Sequence, residues 1–173
     1  VGPELGYEPL GHHIFQTMGM NRASREKYFL QACGPDFPYD RFQEAYRDRV
    51  RGYADREGIP VKKGLKSLLE YLRREQIPAV VATGSSRAHA LDYLERTGVL
   101  GYFQFVLAGD QVQVAKPDPE IYLKACGMLG RKPEEVLVLE DSGNGVLAAH
   151  RAGAPVILIP DLQKDSGPVE GLY

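Results

Sequence analysis

Two hydrophobic rhythms divide the chain. Up to about residue 58 the apolar positions recur at helical spacing: Phe42, Tyr46, Val50, Tyr53 and Ala54 run to Asp55, and Tyr28, Phe29 and Ala32 mark an earlier helix that stops at Gly34-Pro35. Asp40 with Gln43 has the form of a capping box, and Ser24 is a candidate cap for the earlier helix. Nothing in this stretch reads as a strand. After Gly58-Ile59-Pro60 the pattern changes to alternating helix and strand. Leu65, Leu68, Leu69 and Leu72 form a helical stripe, followed by a strand over 79–82, a helix from Ser86 to Gly98, and a strand over 105–108. A helix over 118–129, a strand over 136–140, a helix over 146–152 and a last strand over 155–159 complete the order. The strands are continuous apolar runs. That is the signature of a parallel sheet covered on both faces, so the expectation is an α/β fold with a Rossmann-like core over 59–173 and an all-helical domain over 1–58.

Composition narrows the possibilities. A chain of 173 residues can bury a real core. Its formal charge of −2 offers no bulk attraction to nucleic acid or to an anionic membrane, so neither is expected as a partner. No apolar stretch approaches a membrane span. Cys33 and Cys126 are too few and too far apart in sequence for a disulfide scaffold or metal cluster; reduced thiols and a cytoplasmic location are expected. The ten tyrosines read as packing residues. The four histidines are scattered, and Asp110 and Asp161 follow strands as turn residues.

Three short segments at strand ends carry the candidate chemistry. Val80-Val81-Ala82 ends in Thr83-Gly84-Ser85-Ser86, which places hydroxyls and backbone N–H groups at a helix N-terminus suited to an anion. Lys116 precedes Pro117-Asp118-Pro119-Glu120, where Asp118 can cap the next helix and make the lysine's position reproducible. The strand ending at Glu140 leaves two adjacent carboxylates, Glu140 and Asp141, before the turn Ser142-Gly143-Asn144-Gly145. Singly, these are an N-cap cluster, a solvated lysine and a strand exit. Together, at the carboxyl ends of parallel strands, they sit where open α/β sheets bind ligands.

In order and context the three segments resemble the haloacid dehalogenase superfamily of phosphatases and phosphomutases, and within it the subfamily similar to β-phosphoglucomutase and sugar-phosphate phosphatases. The resemblance implies that Thr83, with Gly84 and Ser85, binds the transferring phosphoryl group, that Lys116 neutralises it, and that Glu140 and Asp141 hold Mg2+. Gly19-Met20-Asn21-Arg22 is similar to the cap-domain loop whose arginine, in the mutase branch, grips a second substrate phosphate; this makes Arg22 a substrate-binding candidate. The implied activity is magnesium-dependent phosphoryl transfer from a small phosphorylated metabolite, a sugar phosphate by resemblance, through an aspartyl-phosphate. The helical domain would be the cap that excludes water and selects the substrate.

The sequence departs from that family at one point. Members begin with a strand ending in Asp-x-Asp, and no Asp-x-Asp occurs in this chain. The opening Val1-Gly2-Pro3-Glu4 resembles a point already inside the cap, and the expectation is that the first core strand and the nucleophile are missing and the chain alone is inactive. The alternative is a phospho-ligand-binding module without turnover. The family order places the missing strand between those ending at Thr83 and Glu140. Those two strands are therefore expected to show a gap, to pair directly, or to receive a strand from another chain.

Overall fold

A computed structural model describes residues 1–17, 20, 22–160 and 169–173. It divides into two compact units, one reaching to Val61 and the other beginning in earnest at Lys62.

The first unit is helical: α1 (Gly11–Gln16), α2 (Arg22–Cys33) and α3 (Tyr39–Glu57), with no strand among the described residues. Its core is aromatic. Phe29, Phe37, Tyr39 and Phe42 are buried with Leu10. Phe29 stacks on Phe37 with centroids 5.2 Å apart and meets Phe42 at 4.9 Å, so three rings from α2, the α2–α3 connection and α3 lock the helices together. Two capping expectations fail here. Ser24 lies within α2, and α3 is preceded by Pro38 with no side-chain cap. The Asp40 carboxylate instead takes the Arg22 guanidinium at 2.6 Å, because a full charge on the facing helix outcompetes a neutral N–H of its own first turn.

The second unit runs α4 (Leu65–Arg74), β1 (Val81–Ala82), α5 (Arg87–Arg96), β2 (Val106–Leu107), α6 (Glu120–Leu129), β3 (Val138–Glu140), α7 (Gly143–Ala152) and β4 (Val156–Leu158). This is the alternation expected from the apolar pattern. Helix α5 begins at Ser86 in extended geometry and stops at Gly98, whose φ of 70° lets its N–H reach Glu95 O at 2.9 Å while Val99 N reaches Leu94 O. Helix α7 ends in the same way at Gly153.

The strands pair in parallel as two separate sheets. Val81 and Ala82 lie opposite Val106 and Leu107, while Val138, Leu139 and Glu140 lie opposite Val156, Ile157 and Leu158. Single ladder bonds continue past the regular strands: Gln104 N reaches Ala79 O, Thr83 N reaches Leu107 O, and Ile159 N reaches Glu140 O. Strands β1 and β3 do not pair, so direct pairing, one of the three arrangements expected, is not what the sheets show.

The β3–β4 sheet is covered on one face only, contrary to the expectation from its continuous apolar runs. Val138, Val156 and Glu140 turn inward to α6 and α7, where Ile121, Tyr122, Ala125, Val146, Ala148, Ala149 and Ala152 complete the core with Val169. Leu137, Leu139, Ile157 and Ile159 alternate with them and are all exposed. Side chains of period two reach both faces of a strand, and among the described residues no element packs on the second face.

Candidate active site

The carboxyl ends of β1 and β3 are joined by one side chain. Val81 N and Thr83 N bond to β2, so the intervening Ala82 carbonyl points to the open edge of β1. It accepts from Lys116 Nζ at 3.1 Å. The same ammonium donates to Tyr122 Oη at 2.8 Å and to Glu140 Oε1 at the end of β3. All three donors of the ammonium are used. Lys116 is only 9% exposed and Glu140 8%, so the pair is buried rather than a surface ion pair.

The segment carrying Lys116 is tied at several points. Asp118 N donates to Ala115 O, the Asp118 carboxylate accepts Glu120 N at 2.9 Å, and Arg151 donates to Pro117 O at 2.8 Å. Upstream, the Glu120 carboxylate accepts the N–H groups of Gln113 and Val114, which hold its carboxyl below the ordinary range. Asp118 does not stand at the cap position expected for it: α6 begins at Glu120 behind Pro119, which offers no side-chain cap, and the Asp118 carboxylate reaches the first N–H of the helix from one residue further back.

Glu140 is held from four sides. Oε1 accepts from Lys116 and Tyr122; Oε2 accepts Ser142 Oγ at 3.1 Å and Asp141 N at 3.2 Å. Burial pushes this carboxyl up, but the Lys116 charge and the hydrogen bonds of Lys116, Tyr122 and Ser142 outweigh it, leaving it below the usual carboxylate range. Burial, and then the Glu140 charge, hold the Tyr122 phenol far above its ordinary value, so it stays neutral. Ser142 also caps α7 by accepting Gly145 N at 3.1 Å. A Cβ on Gly145 would run into the Glu140 carboxyl group, so the absence of a side chain there makes room for the carboxylate at the helix N-terminus.

Asp141 behaves differently from its neighbour. It is exposed, because adjacent positions at the strand end part to opposite sides. Thr83 and Gly84 are half-buried and Ser85 is exposed. Ser85 N donates to Thr83 Oγ1 at 3.2 Å, and Gly109 N to Ser85 O at 2.8 Å. A Cβ on Gly109 would strike the Gly84 carbonyl, so the two loops meet backbone to backbone. The first N–H of α5 is not open to an anion: the Asp110 carboxylate accepts Arg87 N at 3.0 and 3.1 Å. Asp110 is thus more than a turn residue. Asp161, Gly19 and Asn21 lie outside the described residues, and Arg22 belongs to the helical unit, where it pairs with Asp40.

As a magnesium site the donors are hard oxygens of suitable charge. Among the described residues no group of three or more His, Cys, Asp or Glu side chains converges on one point. Mg2+ needs few protein ligands, since it keeps several waters and shares phosphate oxygens. The exposed Asp141 carboxylate fits that role, while the four acceptor positions of Glu140 are already taken.

Comparison with known proteins bears on the whole arrangement. Residues 12–153 match the family model described as haloacid dehalogenase-like hydrolase. The chain belongs to that family. A phosphorylated carbohydrates phosphatase of Thermotoga maritima is 42% identical over 113 residues, which are 64% of this chain and 52% of that protein. The crystal structure of CbbY from Rhodobacter sphaeroides in complex with phosphate superposes with a TM-score of 0.76 at 25% identity, over 93% of this chain and 75% of that one. A β-phosphoglucomutase from Clostridium difficile shares the fold, with a TM-score of 0.79 at 19% identity over 92% of this chain and 74% of that one. The chain thus spans about half the length of the curated relative and three quarters of each solved structure. Its core is the Rossmann-like α/β core of the haloacid dehalogenase superfamily.

Tyr122 is absent from the site expectations drawn from the sequence, and Gly145 enters them only as part of a turn. Tyr122 sits among Ile121 and Ala125 in an apolar helical pattern and reads there as core. The signal that marks it is its hydroxyl, which requires a partner once buried.

Proposed function

We propose that the protein is a magnesium-dependent phosphoryl-transfer hydrolase acting on a small phosphorylated metabolite, a sugar phosphate by likeness to the phosphatase of Thermotoga maritima. The observation that carries this reading is Lys116, a buried cation spanning the ends of β1 and β3 with hydroxyls on one side and carboxylates on the other. A phosphate monoester repels an anionic attacker, so the site must first neutralise the phosphoryl oxygens. Thr83 and the loop of Gly84 and Ser85 would donate directed hydrogen bonds to them. Lys116 would turn its ammonium to a phosphoryl oxygen by giving up the Ala82 carbonyl, the longest of its three contacts. Asp141 would hold Mg2+, with Glu140 adding its charge from behind; the metal supplies counter-charge for the phosphoryl group. No Asp-x-Asp occurs among the 173 residues, and Arg22 is a substrate-binding candidate by resemblance.

The test is turnover of a phosphate ester by the full-length protein. Lys116→Ala is expected to lower it at least tens-fold; losing one such electrostatic contact costs up to about 2.7–4 kcal/mol of transition-state stabilisation, or a hundred- to a thousandfold. Unchanged kinetics would sink the assignment. The second reading, a module that binds a phosphorylated ligand without turnover, draws on the lack of Asp-x-Asp. It requires ligand binding that depends on Lys116 and no hydrolysis in the full-length protein.

A further inference from the structure

We propose that Tyr122 is a positioning residue that aims the Lys116 ammonium into the gap between the ends of β1 and β3. The inference rests on the phosphoryl-binding reading of Lys116 given above. Lysine ends a four-carbon stem with rotatable bonds, and its charge is useful to a phosphoryl group only when its direction is set. Tyr122 sets it through its hydroxyl. The phenol oxygen accepts an ammonium proton at 2.8 Å and donates its own proton to the Glu140 oxygen that also receives Lys116, closing a three-membered hydrogen-bonded ring. The ammonium lies off the hydroxyl end of the ring, 4.7 Å from its centroid, so the oxygen and not the aromatic face holds it.

The tyrosine is itself held firmly. It is 5% exposed, it stands in the first turn of α6 beside buried Ile121, and that turn is tied by the bonds of Asp118 and Glu120 to the backbone before it. A buried hydroxyl on an otherwise apolar helix face is costly without partners, and here it has one on each side. Phenylalanine would fill the same space and lack only the hydroxyl. The hydroxyl therefore answers to Lys116 and Glu140 rather than to packing.

The experiment is titration of the full-length protein with inorganic phosphate, followed by 31P NMR so that weak binding is read, with thermal midpoints measured alongside. Tyr122→Phe is expected to weaken phosphate binding about fivefold or more, in keeping with loss of a charge-assisted hydrogen bond. In a Lys116→Ala background the same substitution is expected to change binding less than about twofold, since the group it aims is gone. Binding by Tyr122→Phe within twofold of the parent overturns the proposal. So does an equal loss in both backgrounds, which is the mark of general loosening and keeps the test valid if the variant is less stable. If Lys116→Ala alone leaves phosphate binding intact, the phosphoryl-binding reading itself fails, an outcome separate from failure of the tyrosine's role.

Discussion

Replacing Lys116 by methionine tests whether the buried pair also holds the fold together. The substitution keeps an unbranched stem and removes the charge, leaving the Glu140 carboxylate at 8% exposure without its cation and the Ala82 carbonyl without its donor. Removing one member of a buried pair costs about 3–5 kcal/mol, because the survivor stays uncompensated in a poorly solvated site. Glu140 retains Tyr122, Ser142 and the Asp141 N–H as donors, which places the loss toward the lower end of that range. For a chain of this size the thermal midpoint falls by roughly 6–20 °C. Glu140→Gln alone strands the ammonium and is expected to cost a similar amount. The double variant Lys116→Met with Glu140→Gln leaves no buried charge and is expected to return to within about 2 kcal/mol of the parent. Equilibrium urea unfolding of the four proteins measures all of this. The pH dependence has a definite sign: a carboxyl lowered in the folded state contributes stability that is present above the ordinary carboxylate range of about 4.3 and is lost as pH falls through the lower folded value. The parent's advantage over the double variant should therefore shrink below that range. A single variant within about 1 kcal/mol of the parent, or a double variant as unstable as the sum of the singles, would refute the reasoning.

Two further outcomes follow from the same site. Gly145→Ala places a methyl group in the Glu140 carboxyl position and is expected to cost about 1–3 kcal/mol in urea unfolding, although alanine favours helix; a neutral or stabilising result shows that Glu140 moves freely. Asp141→Asn removes an exposed charge at constant volume, so it should weaken Mg2+ binding by calorimetry in the full-length protein while leaving the thermal midpoint within a degree or two. A parent-like magnesium isotherm would remove Asp141 from the metal site.

Much of the second unit was legible because its signals are local. Apolar runs ending in small or charged residues marked the strands, and Gly98 and Gly153 marked helix ends that depend on a single residue's backbone. Lys116 and Glu140 were found as separate points, but their direct pairing across 24 residues of chain was not, since spacing in sequence carries no distance. Tyr122 and Asp110 escaped for one reason: each acts on a segment distant in sequence, the tyrosine on Glu140 eighteen residues on, the aspartate on the first N–H of α5 twenty-three residues back. The capping box at Asp40 was misread because Arg22, eighteen residues away, takes the carboxylate. Periodicity correctly located the apolar positions of β3 and β4, but whether a second layer covers them is a tertiary matter that no alternation pattern encodes.

The open face of the β3–β4 sheet has a calorimetric consequence. The heat capacity of unfolding records how much apolar surface is newly hydrated, and Leu137, Leu139, Ile157 and Ile159 are already in contact with solvent in the folded chain. About half of their surface is hydrated at both ends of the transition, and that share cancels. An average chain of 173 residues would absorb roughly 2.1–2.6 kcal/mol/K on unfolding. This chain should fall below that span and should show a correspondingly shallow denaturant slope. Its stability curve is then broad, changing little with temperature on either side of its maximum.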